Sequence, residues 1–549
     1  MGFRINETQQ ISLNDRLKNL TVRERKILDN SWAKPFGDYI FPLINEERFM
    51  PLFCVDNGRP PSPVNVVVGS LLLQEMQQLN DEEMLESVLL DIRFQYALRL
   101  TSFDEMPVSD RTLSRFRARL YEHEMDTGED LLKEEIESLA EEYAKRMSIK
   151  GTLKRMDSLM ISSSCKRMGR LELMYTCVSN LVSAIIASNE GHLLPEHLHK
   201  YADESNKNAY CYRLKKDDVQ TRLEALKEDA LLVYELCSSA QGGTDEFQLL
   251  ERMLNDQTKE GQLKPNKDIK PTSLQNPSDE DATFRRKNGV GYQGYVGNVV
   301  EDCGENGNII TKYDFDVNLH SDSEFAAEVI EKLGVQEERT VIVVDGAYPS
   351  EANIEAAKLN NIELVPSALS GAEPNPIVNE FQIKEETITR CPTGNAPISS
   401  DFNEEKETIR ACFDRSTCEN CPLLGQCPVK IQKRQAVVTL TITTINRAAL
   451  AEAITTEEYK ELARKRNGVE GIPSVMRRRY GVDDMPVRGL VRSKMRFGFK
   501  IGAINAKRVI KFIQSIALIY FFKGKSMDNF THFIYLFFCR SLVSINFGF

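Results

Sequence analysis

The run Thr340-Val-Ile-Val-Val-Asp345-Gly-Ala-Tyr348 constrains this chain more than any other segment. An unbroken β-branched stretch reads as a strand covered on both faces, the usual setting of a parallel sheet packed between helices. It stops at a carboxylate followed by glycine. Residues 151–165 alternate and read as a strand centred on Asp157. Gly294–Asp302 and Asn308–Val317 read as two more strands, joined by the turn Gly304-Glu305-Asn306-Gly307. Helices are predicted at Ser323–Leu333 and 351–360, and a further strand at Ile362–Pro366. The order is strand, hairpin, helix, strand, helix, strand, with an acid in the first strand and an acid ending a later one.

Composition narrows the function classes. With 549 residues, 41% apolar and 28% charged, the chain is of ordinary globular make-up, neither fibrous nor wholly disordered. Its 70 Lys+Arg against 81 Asp+Glu give a net charge of -11, which excludes a uniformly basic nucleic-acid coat. The charge is uneven. Between Arg464 and Lys511 there are 14 basic residues and three acids, Glu470, Asp483 and Asp484. Few acids are at hand to pair with this segment as i,i+4 partners, so it reads as a footprint for a polyanion.

Met1–Glu7 has no apolar core, so no secretory signal is expected. Val509–Phe522 is interrupted by Lys511 and Gln514, and Phe530–Cys539 is short. Both fall below the ~20 residues of a spanning helix, so no membrane partner is expected. The expected location is cytoplasmic, where clustered Cys read as metal ligands or free thiols before disulfides.

Residues 1–150 read as a helical N-terminal domain. Pro63 opens the apolar run Val64–Leu79, and Asn80 with Glu83 forms a capping box for the next helix. Ser109 precedes a helix, 110–124, in which Leu113, Phe116 and Leu120 fall at helical spacing. Arg111, Arg115 and Arg119 recur every four residues along one face. They fit a DNA-reading helix, and equally a surface helix with Arg stems packed along it. The remaining expected divisions are a core at 151–370 carrying a helical insertion at about 170–280, a Cys-rich insertion at 371–435, a core completion at 436–522, and an aromatic tail at 523–549. The tail reads as an added packing helix, a partner-binding segment, or the product of a shifted or read-through frame, the last two favoured equally.

The element order suits a ribonuclease H-like α/β core. Asp157, Asp345 and Glu470 would give three carboxylates, enough to hold two Mg²⁺ ions, which favour hard oxygen ligands. Two such ions clamp the attacking and leaving oxygens of an in-line phosphoryl displacement. Each acid singly also has a structural reading: a strand-edge carboxylate, a helix N-cap, a helix-dipole partner. Cys391, Cys418, Cys421 and Cys427, with a C-x₂-C pair among them, suit a structural Cys₄ zinc site; Cys412 is a spare. Free thiols in a small core are the alternative.

The chain resembles DDE-type bacterial insertion-sequence transposases. Gly58-Arg-Pro-Pro-Ser-Pro, Gly69-Ser-Leu-Leu-Leu-Gln-Glu75, Asp91-Ile-Arg-Phe and Ser109-Asp-Arg-Thr-Leu-Ser-Arg-Phe-Arg-Ala-Arg-Leu120 resemble the N-terminal region such transposases share. Met156-Asp157-Ser158 resembles the first catalytic Asp motif and Val344-Asp345-Gly-Ala-Tyr348 the second. The third motif is Tyr, two residues, Arg, three residues, Glu, six residues, Lys. Arg466, Glu470 and Arg477 keep its spacing, with Ala463 in place of Tyr and Arg477 in place of Lys. The family also has a Cys-rich insertion between its second Asp and its Glu.

The resemblance implies a DNA transposase. It would hydrolyse transposon ends with two metal ions and transfer the 3′-OH into target DNA, acting on terminal inverted repeats as a homodimer associated with the nucleoid. Arg466 and Arg477 would hold phosphates, and Arg285 and Arg286 would add DNA contacts. The competing reading is a catalytically inactive or repurposed derivative that keeps DNA binding. A zinc-dependent hydrolase built on the Cys cluster is the less favoured third reading, since a closed four-thiolate site leaves no open position for substrate.

Overall fold

The computed structural model describes residues 3, 5–6, 16–53, 62–100, 108–287, 289–369, 371–466, 468 and 471–522. The aromatic tail, Cys54 and Glu470 lie outside the described residues. In chain order the elements that matter are α1 (Val64–Gln77), α2 (Asp110–Thr127), α3 (Leu131–Arg146), β1 (Leu153–Ser162), β2 (Thr283–Lys287), β3 (Val290–Gly304), β4 (Gly307–Val317), α4 (Asp322–Leu333), β5 (Thr340–Val344), α5 (Glu351–Leu359), β6 (Ile362–Pro366), α6 (Glu457–Arg466), α7 (Gly471–Tyr480) and α8 (Leu490–Phe522). They form two compact units. The first contains Met1–Gly151, Ser158–Ser321 and Ile472–Phe549; the second contains Thr152–Asp157 and Asp322–Gly471.

In the first unit, α1 starts after Pro63 and is buried from Val64 through Met76, because its sequence is apolar on all sides. The Asn80–Glu83 capping box forms as the spacing predicts: Glu83 N–H donates to Asn80 Oδ1 at 2.9 Å and Asn80 N–H to Glu83 Oε2 at 2.8 Å. α8 packs on α1, α3 and β4. The approach is close at Gly502, where a Cβ would come within 2.6 Å of Leu72 and 2.7 Å of Ile136. A buried charge cluster crosses the α1–α8 contact. Glu75 takes Arg496 on one oxygen and Lys500 on the other, each at 2.9 Å. β3 and β4 form the expected hairpin with Gly304 opposite Gly307, and β2 pairs antiparallel with the start of β3, Thr283 opposite Gly294. The second half of β1 runs beside β3, with Ser163 N–H donating to Gln293 O at 3.0 Å.

The first unit also holds a helical insertion with its own apolar core. Arg170–Ala187, Lys216–Gln241 and Asp245–Gln257 bury Tyr175, Val178, Leu181, Leu226, Val233 and Leu250 among one another. Arg170–Ala187 is long and apolar enough to cross a membrane by composition, but over half of it is buried in this core. An apolar core helix passes the same test.

In the second unit, the first half of β1 pairs in parallel with β5, Leu153 opposite Val341 and Arg155 opposite Val343. β5 pairs in parallel with β6, from Thr340 opposite Ile362 to Val344 opposite Pro366. α6 lies against β5 and β6. The Cys-rich segment forms an antiparallel sheet in the order Ser399–Asn403, Thr408–Phe413, Ala436–Thr441, Lys430–Ile431. The helix Ile442–Ile454, N-capped by Thr441, packs Ala448 onto that sheet's core.

Candidate active site

The β1–β5 pairing runs from Leu153 opposite Val341 to Arg155 opposite Val343. Asp157 lies two residues beyond the last paired residue of β1, and Asp345 two residues beyond its partner Val343, just past the end of β5. Both residues are half-buried, Asp157 within β1 and Asp345 just past the end of β5, and the residues before them, Met156 and Val344, are fully buried. Asp345 closes its own turn: Gly346 N–H donates to its Oδ1 at 2.8 Å, and Tyr348 N–H to its carbonyl at 3.2 Å. Tyr348 is buried, and its carbonyl accepts Asn353 Nδ2 at 3.1 Å while that same amide reaches Ser323 O at 2.8 Å. The turn is therefore bound to α5 and to the start of α4.

Glu470 is outside the described residues, and so is the Arg466 side chain; α6 ends at Arg466 and α7 begins at Gly471. Among the described residues no three His, Cys, Asp or Glu side chains cluster closely enough to hold a metal ion. Asp157 and Asp345 alone supply two carboxylates, a donor set of the hard oxygen type that divalent ions such as Mg²⁺ take. Arg155, two residues before Asp157, is buried, and its Nη1 donates to Lys465 O in the last turn of α6 at 2.6 Å. Sequence reasoning missed Arg155, whose hydrogen-bond partner Lys465 lies 310 residues away.

The basic residues divide by how the fold uses them. Arg111 and Arg115 are exposed on α2, whose apolar face buries Leu113, Phe116 and Leu120. Arg119 lies over the Phe53 ring at 4.9 Å, and Arg117, not foreseen, pairs with Asp81. Arg477 is spent within the protein: Nε donates to Asp483 at 3.1 Å and Nη2 to Met160 O at 2.7 Å. Its neighbours Arg478 and Arg479 are exposed. Arg285 Nη1 holds the carbonyls of Asn318 and His320, both at 3.1 Å, whereas Arg286 is exposed, with its Nε donating to Gly289 O at 3.3 Å.

Cys391, Cys418, Cys421 and Cys427 line one cavity of about 150 Å³, together with Ile377 and Phe413. Cys412 is buried on a strand of the sheet and is not among the lining residues. Burial pushes the Cys418 thiol up, and the neighbouring Cys391, Cys427 and Cys421 push it the same way. Burial, then Cys421 and Cys391, raise the Cys427 thiol. Burial also acts upward on Cys391, but hydrogen bonds from the Thr393 hydroxyl and the Asn395 and Thr393 N–H groups outweigh it and leave that thiol low. Four sulfur donors facing one small cavity fit the chemistry of a tetrahedral zinc ion, although the thiols are not closed to ligating distance.

Two family models match. One, described as "Transposase DDE domain", covers residues 390–510, from Cys391 through the chain around Glu470 into α8. The other, described as "Transposase domain (DUF772)", covers residues 25–119, including α1 and the arginine face of α2. Asp157 and Asp345 lie outside both ranges. Searches of curated proteins and of solved structures find no match. With a DDE-domain match at one end and a transposase-domain match at the other, the chain is similar to DDE-type transposases over these two stretches.

Proposed function

We propose that the protein cuts transposon ends by metal-assisted hydrolysis and joins the resulting 3′-OH to target DNA. The observation that supports this reading is the parallel β1–β5 pairing, which ends with Arg155 opposite Val343; carried on by two residues, that register would set Asp157 against Asp345. β1 also has β3 as its neighbour in its second half, an arrangement that supports a ribonuclease H-like core. Asp157 and Asp345, with Glu470 as the third carboxylate, would hold two Mg²⁺ ions. Bound there, the ions would supply Lewis-acid activation of the attacking oxygen and charge stabilisation at phosphorus. The chain itself orients. Gly346 N–H holds one carboxylate oxygen of Asp345, and the Asn353 amide ties down the turn that carries it, which would lower the cost of ordering the carboxylate as substrate arrives. Arg466 would hold the scissile-strand phosphates, and Arg477, Arg478 and Arg479 would add phosphate contacts. Arg111 and Arg115 on α2, with Arg119 beside them, would contact the terminal repeat; Arg286, and Arg285 through the strand it braces, would contact flanking DNA. A homodimer would bring two ends together.

In this reading, Cys391, Cys418, Cys421 and Cys427 hold a structural zinc ion that stiffens the insertion, and a closed four-sulfur site leaves no position for substrate. The test is a labelled terminal inverted repeat incubated with Mg²⁺. Wild type should release a nicked 3′ end. Asp345→Ala and Asp157→Ala should bind the repeat and leave it intact. A wild-type protein that binds and never cuts would favour the DNA-binding derivative instead.

A further inference from the structure

α8 carries seven basic residues and no acid, so each charge must find its partner on another element or face solvent. The packed neighbours take most of them. Lys494 pairs with Glu124 of α2 and, at 3.2 Å, with Asp130. Arg496 and Lys500 share Glu75 of α1. Arg508 takes Glu301 of β3 at 2.7 Å. Arg492 lies over the Tyr121 ring at 4.4 Å. Lys507 and Lys511 remain, and among the described residues neither pairs with a carboxylate. They stand one helical turn apart, and like charges at that spacing repel.

The end of α7 adds two more cations to this corner. Lys507 Nζ lies 5.2 Å from the centre of the Tyr480 ring. Tyr480 is buried and ends α7, and Arg478 and Arg479 stand exposed in that last turn. Neither arginine pairs with a carboxylate among the described residues. Burial, then the charge of Arg479, pulls the Lys507 ammonium below its ordinary value. The negative end of the α7 dipole accounts for two arginines in its last turn. It does not account for Lys507, a half-buried cation in the middle of another helix with a like charge beside it. The Tyr480 ring offsets part of that cost. The rest is self-repulsion, which an arriving anion would relieve.

We infer that Arg479 and Lys507, flanked by Arg478 and Lys511 and floored by Tyr480, form a phosphate clamp for the backbone of duplex DNA. The cations are spread over two elements and are exposed or half-buried, so they face a run of phosphates and do not enclose one small anion. This rests on the proposed reading of the chain as acting on DNA, and adds Lys507 and Lys511 to the contacts. Backbone contacts fix position and affinity and carry no sequence information. The clamp is kept at a cost to the free protein, which gives it a signature that an ordinary surface lysine lacks.

The experiment compares wild type, Lys507→Gln, Arg479→Gln and Lys511→Gln. It records the melting temperature of the free protein, and the affinity for the terminal repeat and for a duplex of unrelated sequence at several salt concentrations. Lys507→Gln should melt higher than wild type. It should weaken both duplexes by the same factor and flatten log K against log salt by about one. Arg479→Gln should flatten the slope equally, and the double variant by about two. Duplex should raise the melting temperature of wild type more than that of Lys507→Gln. If Lys507→Gln does not fold, Arg479→Gln and Lys511→Gln, at exposed positions, decide. A wild-type salt slope in folded Lys507→Gln or in Arg479→Gln overturns the clamp, as does a lower melting temperature with unchanged binding. Weakening confined to the repeat overturns the backbone assignment. A wild type that binds neither duplex overturns the clamp and the DNA reading together. Wild-type binding matched by the variants removes the clamp alone.

Discussion

Replacing Glu75 by glutamine tests whether the α1–α8 contact is held by charge or by apolar packing alone. Glu75, Arg496 and Lys500 have side-chain exposures of 8%, 13% and 6%, and both cations approach the carboxylate at 2.9 Å. The introduced amide would keep one acceptor oxygen but no charge, leaving two largely buried cations about one carboxylate apart without compensation. Removing one partner of a buried ion pair costs about 3–5 kcal/mol. The lower end applies here, because the amide still accepts a hydrogen bond and Arg496 retains some exposure. A loss of about 3 kcal/mol in local opening free energy is about a hundredfold in amide protection. Hydrogen exchange followed by mass spectrometry should therefore show faster exchange in Val64–Gln77 and in the first half of Leu490–Phe522, with the Cys-rich sheet unchanged. Adding Lys500→Met to the Glu75→Gln protein should recover part of the loss, since it removes one of the stranded charges. Unchanged protection in the single variant, or additive loss in the double, would refute the reasoning.

Three further outcomes follow from the fold. Cys418→Ser combined with Cys421→Ser should remove bound zinc, measured by metal analysis of the purified protein, and lower the melting temperature of the insertion while repeat binding survives. Burial pushes Asp81 up, but hydrogen bonds from Arg117 and Gln74 outweigh it and hold its carboxyl below the ordinary value of about 3.9. Its contribution to stability is therefore complete above about pH 4 and fades as pH falls through the lower folded-state value; α2 protection in wild type should fall in that range on acidification, whereas Asp81→Asn should start lower and show no such step. Arg111→Ala and Arg115→Ala should each flatten the slope of log K against log salt for repeat binding by about one, without changing melting temperature.

The elements legible in the sequence were those with a local cause. The Thr340–Val344 run is β-branched throughout and could be little else, the Asn80–Glu83 box names its own helix start, and Gly304–Gly307 is a turn by composition. What escaped was set by distant partners. Thr283–Lys287 reads as a basic stretch before the hairpin, and becomes a strand because β3 lends it hydrogen bonds. Ser399–Asn403 and Thr408–Phe413 are short and mixed in polarity, so the sheet beneath the cysteines has no clear period. The same holds at the candidate site. Asp157 and Asp345 were visible as acids in strand contexts, but the occupation of Arg477 by Asp483 and Met160 depends in part on chain three hundred residues away. Arg155 likewise has no local signature, because its partners lie at Lys465 and Gly468.

The parallel pairing of β1 with β5 also has a temporal side. Leu153 is synthesised early and cannot meet Val341 until almost two hundred further residues have emerged. At elongation speeds of about 5–20 residues per second that wait is roughly 10–40 s. The intervening helices of the insertion share a core of their own and can collapse meanwhile. A nascent or truncated product ending before Val341 would carry the first aspartate without its neighbour, and so could hold DNA through its amino-terminal helices while remaining unable to cut it. Under the proposed function, premature termination would yield a blocker of the element's ends, and the spacing of two strands in the reading frame would act as a brake on mobility.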